Sequence, residues 1–586
     1  MSNAPQLWPS AFTLLLPPFL LQTSEMALME KRTDGINLGS ALKTEANVLR
    51  DGESQRPSDS GSGSQVNRSV GNDDENEVQY LTGAKLTLVI LALIAIALLV
   101  MLDMSIVATA IPKMTSDFHT TADVGWYGSA YLLTSCSLQP MSGKLYTRFR
   151  IKHTYMAFIA LFEVGSLICG VATSSNMFIV GRAIAGMGSA GIANGAVTIL
   201  CASVPLPKRP LYFGIVGSCG QIGVVASPLI GGVLTEYATW RWCFYMNLPI
   251  GGLAVFALLF ISFPEHSLRG SEPQPRIKVT SLFSELDIIG FLLLSPALVM
   301  FLLALEWGGS VYLWNSAIVI GLFCGSAGNV ALFMLWEYKK GDEAMIPLKL
   351  IKQRVFYCAS LTSFFLYANS LITSYYLAIY FQGVRGKSPM FSGVYMLPGI
   401  IAQMAAGFIS GWAVTRIGYY LPPTALGTIL CAVGAGLMSM FKPHTSFGVW
   451  VGFQVLAGVG RGCALQNSLI AVQNNLPPSK IAVSMAFLYF CQTFGGALWL
   501  SFAGTLFNAG LTTLLPTYAP GVSVAKVMSA GVSGIRSVVP HSSVDGVVMA
   551  YNNAVQHVFY MVSGTATAAF IFSWGLGWKS IKKRTA

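Results

Sequence analysis

Residues 214–234 read GIVGSCGQIGVVASPLIGGVL, an apolar stretch with six glycines, one proline and no charge. A run of ~20 apolar residues is what a helix needs to cross a hydrocarbon core of ~30 Å. At about 100° per residue, Gly217, Gly220, Pro228 and Gly231 fall within roughly 80° of arc, so one side of this helix is almost bare. In lipid, small residues let backbones approach, and a proline is tolerated where neighbours re-satisfy the freed carbonyl. The stretch predicts a membrane helix with a close-packing face. A static packing surface and a sliding seam between helices would both use such a face.

Working outward, similar runs recur from Leu81 onwards, and fourteen are expected: 84–110, 124–143, 154–173, 177–203, 211–235, 242–263, 285–305, 313–336, 355–382, 390–414, 421–441, 448–473, 482–508 and 555–577. The fold class is an all-α polytopic membrane protein. Composition agrees, with 53% hydrophobic and 10% charged residues, where a soluble domain has about a quarter charged. The net charge of +11 suits basic loops bordering membrane spans, and no nucleic-acid partner is expected. Each of the ten cysteines lies in a different predicted helix, without CxxC or metal spacing, and the six histidines are scattered. A disulfide framework, a metal site or any cofactor is therefore not expected.

Residues 1–83 carry 11 acidic and 6 basic residues and a Ser/Gly/Asn/Asp-rich run from Asp51 to Glu77, a composition that cannot bury enough apolar surface to fold. This predicts a disordered tail. Ala11 to Leu21 looks like a signal-peptide core but is interrupted by Pro17 and Pro18 and has no basic residue before it, so no cleaved signal is expected, and translation is suspected to start at Met26 or Met29. If the tail is cytoplasmic, the inner loops and C-terminus after the first helix hold 20 Lys and Arg against 7 in the outer loops. Both termini then lie inside.

An internal repeat sets the architecture. Gly143, Thr147 and Arg148 after helix 2 recur as Gly411, Thr415 and Arg416 after helix 10, an offset of 268, and Ala185 to Gly188 echoes Ala457 to Gly460 at an offset of 272. Helix 2 thus pairs with helix 10. The expected plan is a tail (1–83), a six-helix half (84–263), a cytoplasmic loop (264–284), two inserted helices (285–336), a second loop (337–354), a second six-helix half (355–577) and a basic tail (578–586). On this alignment Arg461 is not the counterpart of Arg182. Parallel repeats about an axis along the membrane normal are the plan of one large transporter superfamily.

Five places make the resemblance specific. Leu102 to Pro112 (LDMSIVATAIP) is similar to an acidic first-helix motif, and Gly143 to Lys152 (GKLYTRFRIK) to a cytoplasmic gate motif. Gly181 to Gly188 (GRAIAGMG) resembles a buried-arginine motif, the opening stretch an exporter helix, and Trp240 to Gly252 (WRWCFYMNLPIGG) a signature at the start of helix 6. Together they resemble the major facilitator superfamily and, within it, the fourteen-helix drug:proton antiporters of fungal efflux-pump type. The resemblance implies a proton-coupled exporter of small amphipathic molecules, a mycotoxin or other secondary metabolite or a xenobiotic drug. It implies alternating access, no cofactor beyond a proton gradient, a monomer, and a plasma-membrane location, with a vacuolar or vesicle membrane as the alternative. Two positions depart from the pattern: Thr147 stands where the gate motif has aspartate, and Ser227 where helix 5 has glycine before its proline.

The site residues follow from this. A charge in mid-bilayer is costly, so Asp103, Glu163, Arg182 and Arg461 are functional candidates. A carboxylate that exchanges protons needs desolvation and a cation whose approach changes its proton affinity. Asp103 in helix 1 and Arg182 in helix 4 have compatible depths, and Glu163 is the third coupling candidate. For the first two the competing reading is a static salt bridge, and for Glu163 a hydrogen-bonded structural carboxyl. Gly217, Gly220, Pro228, Gly231 and Gly232 form the antiporter helix motif, and Gly143, Arg148 and Lys152 the cytoplasmic gate. Arg461, Gln466, Asn467 and Tyr376 are candidates for the substrate cavity, whereas Tyr380 and Gln382 are expected in an interfacial belt.

Rival functions are a siderophore or nutrient transporter on the same frame and, from another class, a membrane-bound acyltransferase. The latter rests only on His119 to Asp123, an HxxxD pattern in a short loop. With no Walker motif, ATP-driven pumping within this chain is not expected.

Overall fold

The computed structural model describes residues 80–120, 123–263, 286–309, 311–524, 526–528 and 539–582. The tail expected over residues 1–83, with its Ala11 to Leu21 run, lies outside the described residues as far as residue 79. The loop expected over 264–284 also lies outside them. Residues 76–586 form one unit, which holds all the helices discussed below.

The fourteen expected helices are present: α1 Gly83–Phe118, α2 Val124–Arg148, α3 Ile151–Val171, α4 Ser175–Ser203, α5 Arg209–Tyr237, α6 in two pieces, Trp242–Tyr245 and Asn247–Leu259, α7 Ile288–Trp307 and α8 Ala317–Lys340. The second half contains α9 Arg354–Ile379, α10 Pro389–Ile417, α11 Leu421–Met438, α12 in two pieces, Phe447–Ala464 and Asn467–Asn475, α13 Ile481–Tyr518 and α14 Val544–Ser573. Among the described residues thirteen spans are long and apolar enough to cross a membrane. The exception is α2, whose polar residues turn inward. Thr134 Oγ1 donates to the Ala183 carbonyl at 2.8 Å, and Ser135, Ser137, Gln139 and Ser142 are buried.

The ends differ from expectation where helices outrun the bilayer. Helix α13 continues to Tyr518 and α14 begins at Val544, so the connection expected over 509–554 is shorter, and α1 extends to Phe118. Hydropathy marks only the lipid-immersed part of a helix, and neither Thr512 nor Asp545 stops the backbone ladder.

The repeat is a repeat of contacts as well as of letters. Arg182 Nε donates to the Tyr127 carbonyl at 3.0 Å, and Gln454 Nε2 to the Tyr395 carbonyl at 3.1 Å. Ser189 pairs with Ser135 at 3.1 Å, and Arg461 with Gln403 at 3.0 Å. Asn194 donates to Ser142 and Asn467 to Ser410, at 3.1 and 3.2 Å. The helix 2–helix 4 seam is thus rebuilt between α10 and α12, and Gln454 occupies the place of Arg182.

Both described termini lie at the end of the bundle with the basic loops: Leu81 N–H bonds the Ser203 carbonyl, and Ile581 N–H the Gly418 carbonyl. At that end one buried apolar cluster draws on both halves, from Tyr146, Ile151, Leu200 and Cys201 to Leu350, Leu476, Ile481 and Met485. At the opposite end each half has its own, around Phe178, Trp240 and Phe244 in the first and Phe381, Phe441 and Phe507 in the second. The halves are sealed together at the basic end. Helices α7 and α8 pack through Leu294, Leu298 and Phe333 against α2 and against Phe487, Phe490 and Phe494 of α13.

Candidate functional site

Asp103 and Arg182, 79 residues apart, meet in the interior of the first half with Nη1 to Oδ2 at 2.6 Å, and both are buried. Arg182 Nε is held by the Tyr127 carbonyl, and its guanidinium lies over the Tyr131 ring, 4.4 Å from the centroid. The second carboxylate oxygen, Oδ1, accepts from Asn247 Nδ2 at 3.2 Å, and the same amide donates to Ser166 Oγ at 3.1 Å. The break in α6 at Met246 brings Asn247 there, at the first position of the longer piece. Asn247 was visible in the sequence only as one letter of the helix 6 signature; its polarity just before an apolar run was the available signal. Glu163 lies one turn from Ser166 on α3, its Oε1 against Gly251 of α6. Both its carboxylate oxygens are buried and have no hydrogen-bond partner among the described residues. A paired acid, an arginine, an amide and an unpartnered acid make a polar cluster in an otherwise apolar half.

The bare face of α5 is shared between two neighbours. A Cβ on Gly220 would lie 3.3 Å from Ala97 Cβ, and Gly223 and Gly231 abut Leu98 and Thr109 of α1, so these glycines seat helix 1 of their own half. Towards the second half face Gly214, where a Cβ would meet the Gly407 carbonyl at 2.9 Å, Gly217, which meets Gln466 Nε2 at 2.5 Å, and Pro228, packed on Gly393 of α10. A Cβ on Gly232 would meet nothing within 4 Å among the described residues. An arc of about 80° is wide enough to span two packed helices, and this one serves a neighbour in each half.

A cavity of about 160 Å³ lies beside Gly217 and Gly220, walled by α1, α3, α4 and α5 on one side and α9, α12 and α13 on the other. Its polar lining is Tyr155, Gln221, Tyr367, Gln466, Tyr489 and Gln492. The break in α12 at Leu465 and Gln466 turns Gln466 into it. Three expected lining residues are elsewhere. Arg461 is turned onto Gln403 of α10, Asn467 onto Ser410 and the Cys463 carbonyl, and Tyr376 packs on Phe507 in the second-half cluster. The helix periodicity places each of them on a face towards a same-half neighbour. Tyr380 is likewise buried, stacked on Phe441 with its hydroxyl donating to the Lys442 carbonyl, rather than belted in lipid.

The family model described as Major Facilitator Superfamily matches residues 93–500. The chain belongs to the major facilitator superfamily. Similar superfamily relatives are the MFS-type transporter pigP of Monascus ruber, 48% identical over 86% of this chain and 88% of its own length, and the efflux pump mlcE of Penicillium citrinum, 48% identical over 86% and 93%. The Aspyridones efflux protein of Neocamarosporium betae is 40% identical over 86% and 89%. Among solved structures the proton:xylose symporter XylE shares the fold, with a TM-score of 0.58 at 11% identity over 85% of this chain and 97% of that one. The protein is a multi-pass membrane transporter of small molecules and not an enzyme. The HxxxD pattern agrees: Asp123 accepts from Ser175 Oγ at 2.6 Å, and His119 is the left-handed residue that ends α1.

In this superfamily member the gate motif is spread over three tasks. Gly143 is the inter-half contact, since a Cβ there would lie 2.8 Å from Ala486 Cβ and Val483 Cα of α13. Arg148 ends α2, and Lys152 Nζ donates to the Leu259 and Ile261 carbonyls, capping α6. A lysine at a helix C-terminus satisfies its last carbonyls. Thr147, in the place of the motif's aspartate, bonds back to the Gly143 carbonyl at 2.8 Å, as Thr415 does to Gly411 at 2.9 Å. Buried acids are supplied instead by the inserted helices. Asp287 Oδ2 and Glu337 Oε1 share the Met345 N–H at 2.8 and 3.2 Å, and Glu337 Oε2 accepts from Ile346 N–H at 2.9 Å. Lys144 Nζ donates to the Glu343 carbonyl of the same strap at 2.7 Å, beside both carboxylates.

Proposed function

We propose that this transporter is a proton-coupled exporter of small amphipathic molecules, a secondary metabolite or a xenobiotic, that works by alternating access between its two six-helix halves. The observation that carries the reading is the buried Asp103, Arg182 and Asn247 cluster with the unpartnered Glu163 nearby. Two carboxylates in one half, only one of them neutralised, give a place for an exchangeable proton in a region where static charge is disfavoured. Support comes from the relatives named as efflux pumps and from the cavity between the halves, beside the α5 face. Basic loops at the end where both described termini lie support termini on the cytoplasmic side, in the plasma membrane or in a vacuolar or vesicle membrane.

The test is transport in proteoliposomes under an imposed pH gradient. Substrate movement follows the gradient in the native protein, and Asp103→Asn abolishes that dependence while the purified protein stays folded. Gradient-driven transport that persists in the variant removes Asp103 from coupling. Tagging each terminus and testing antibody access before and after permeabilisation checks the orientation.

A further inference from the structure

We propose that the cavity between the halves selects electroneutral ligands, apolar molecules carrying carbonyl, lactone, amide or hydroxyl groups, and rejects lipophilic cations of the same size. The proposal rests on the exporter reading for its physiological meaning but is tested separately from it.

Among the described residues no aspartate, glutamate, lysine, arginine or histidine lines the cavity. Its six polar side chains are three glutamines and three tyrosines, distributed over both halves: Tyr155 and Gln221 from the first, Tyr367, Gln466, Tyr489 and Gln492 from the second. A glutamine amide both donates and accepts, and a phenol does the same. Such groups read ketones, lactones and hydroxyls and give no net charge to balance an ion. Two of them are uncommitted: Gln492 Nε2 and Tyr155 Oη are buried and have no partner among the described residues. A buried donor without a partner is costly, and a ligand carbonyl would relieve that cost.

The nearby carboxylate is engaged. Asp103, two residues beyond the lining residue Met101, gives one oxygen to Arg182 and the other to Asn247. Arg182 also holds the Tyr127 carbonyl. Arg461, four residues before the lining residue Leu465, turns its Nε to the neutral amide of Gln403 on α10, and its buried Nη1 has no partner among the described residues, so it adds positive charge near the cavity. A cationic ligand entering here leaves its hydration without meeting a counter-charge, and burying an unpaired charge is far more costly than burying an amide-matched carbonyl. Selection then comes from the penalty on the wrong ligand as much as from contacts to the right one.

Two dyes on one ring frame separate charge from shape: Nile red, a neutral phenoxazine with a ring carbonyl, and Nile blue, its cationic counterpart. Binding of each to the purified full chain in nanodiscs is measured by thermal shift and by displacement of the other. The expected result is binding of Nile red at least tenfold tighter than Nile blue. Gln466→Leu with Gln492→Leu weakens Nile red about tenfold and leaves Nile blue unchanged, while Gln466→Glu, or Gln492→Glu if the first folds poorly, reverses the preference. Equal affinity for the two dyes, no binding of either, or Nile red binding indifferent to the leucine pair overturns the proposal. Nile red transport that ignores the pH gradient while the dye preference holds overturns the proton-coupled exporter reading and leaves the neutral cavity standing; coupled transport without a preference does the reverse.

Discussion

Asn247 is the residue at which the helix 6 signature becomes chemistry. One amide group serves Asp103 Oδ1 and Ser166 Oγ, and so ties helices 1, 3 and 6 together in an apolar interior. Asn247→Ala is expected to lower stability by about 1–3 kcal/mol, the range for leaving a buried polar group unpaired, seen as a lower melting temperature in detergent. It is also expected to slow gradient-driven transport at least tenfold, while Asn247→Asp crowds a second acid against Asp103 and is worse. Leucine substitutions on α5 separate its two faces. Gly231→Leu drives a side chain into Thr109 and Ile106 of the same half and should reduce the yield of folded protein. Gly217→Leu meets the flexible end of Gln466 across the halves, so the protein should fold and transport should fall. Normal transport in a folded Gly217→Leu variant makes that part of the face ordinary packing.

At the scale of elements, the segment that follows the inserted pair α7 and α8 is tied to α2 by the hydrogen bond from Lys144 Nζ to the Glu343 carbonyl. Asp287 and Glu337 are fully enclosed, and Met345 N–H touches both. Trp336 Nε1 donates to Asp287 Oδ1 at 2.6 Å, which fixes one acid from α8. Lys144→Met removes the donor to the Glu343 carbonyl and the positive charge nearest these acids. Leaving a buried carbonyl without its donor costs about 1–3 kcal/mol, so thermal unfolding should occur at lower temperature. Adding Glu337→Gln to Lys144→Met should restore part of the loss, because one unbalanced charge is removed. A Lys144→Met protein as stable as the native one would show that the acids are balanced by other means.

For the whole molecule, the proposed alternating access requires the seal at the basic end to open. Cys201 Sγ of α4 donates to Gln473 Oε1 of α12 at 3.2 Å, so a native cysteine sits at the seam between halves. With the other nine cysteines replaced, Gln473→Cys should react with Cys201 through a short bifunctional thiol crosslinker. Transport should stop on crosslinking and return when the link is cleaved. Continued transport by a fully crosslinked protein would mean that α4 and α12 move together.

The sequence by itself determined the class of fold, the fourteen helices and the 268-residue repeat, and it put Asp103 and Arg182 at depths compatible with contact. These follow from local physics, since a run of apolar residues of bilayer length has one stable conformation in lipid. Even Gln454, the counterpart of Arg182, was implicit in the repeat, although no charge drew attention to it. Only the tertiary structure decided which neighbour each helix face meets. Gly217 and Gly231 share an arc of α5 yet serve different halves. Arg461, Asn467 and Tyr376 point away from a cavity that Tyr155, Gln221, Tyr367, Tyr489 and Gln492 help to line. The burial of Asp287 and Glu337 against Lys144 was equally hidden, because it joins residues about 140 to 190 positions apart in the chain. Periodicity states which residues share a face, and packing among fourteen helices alone assigns that face a partner.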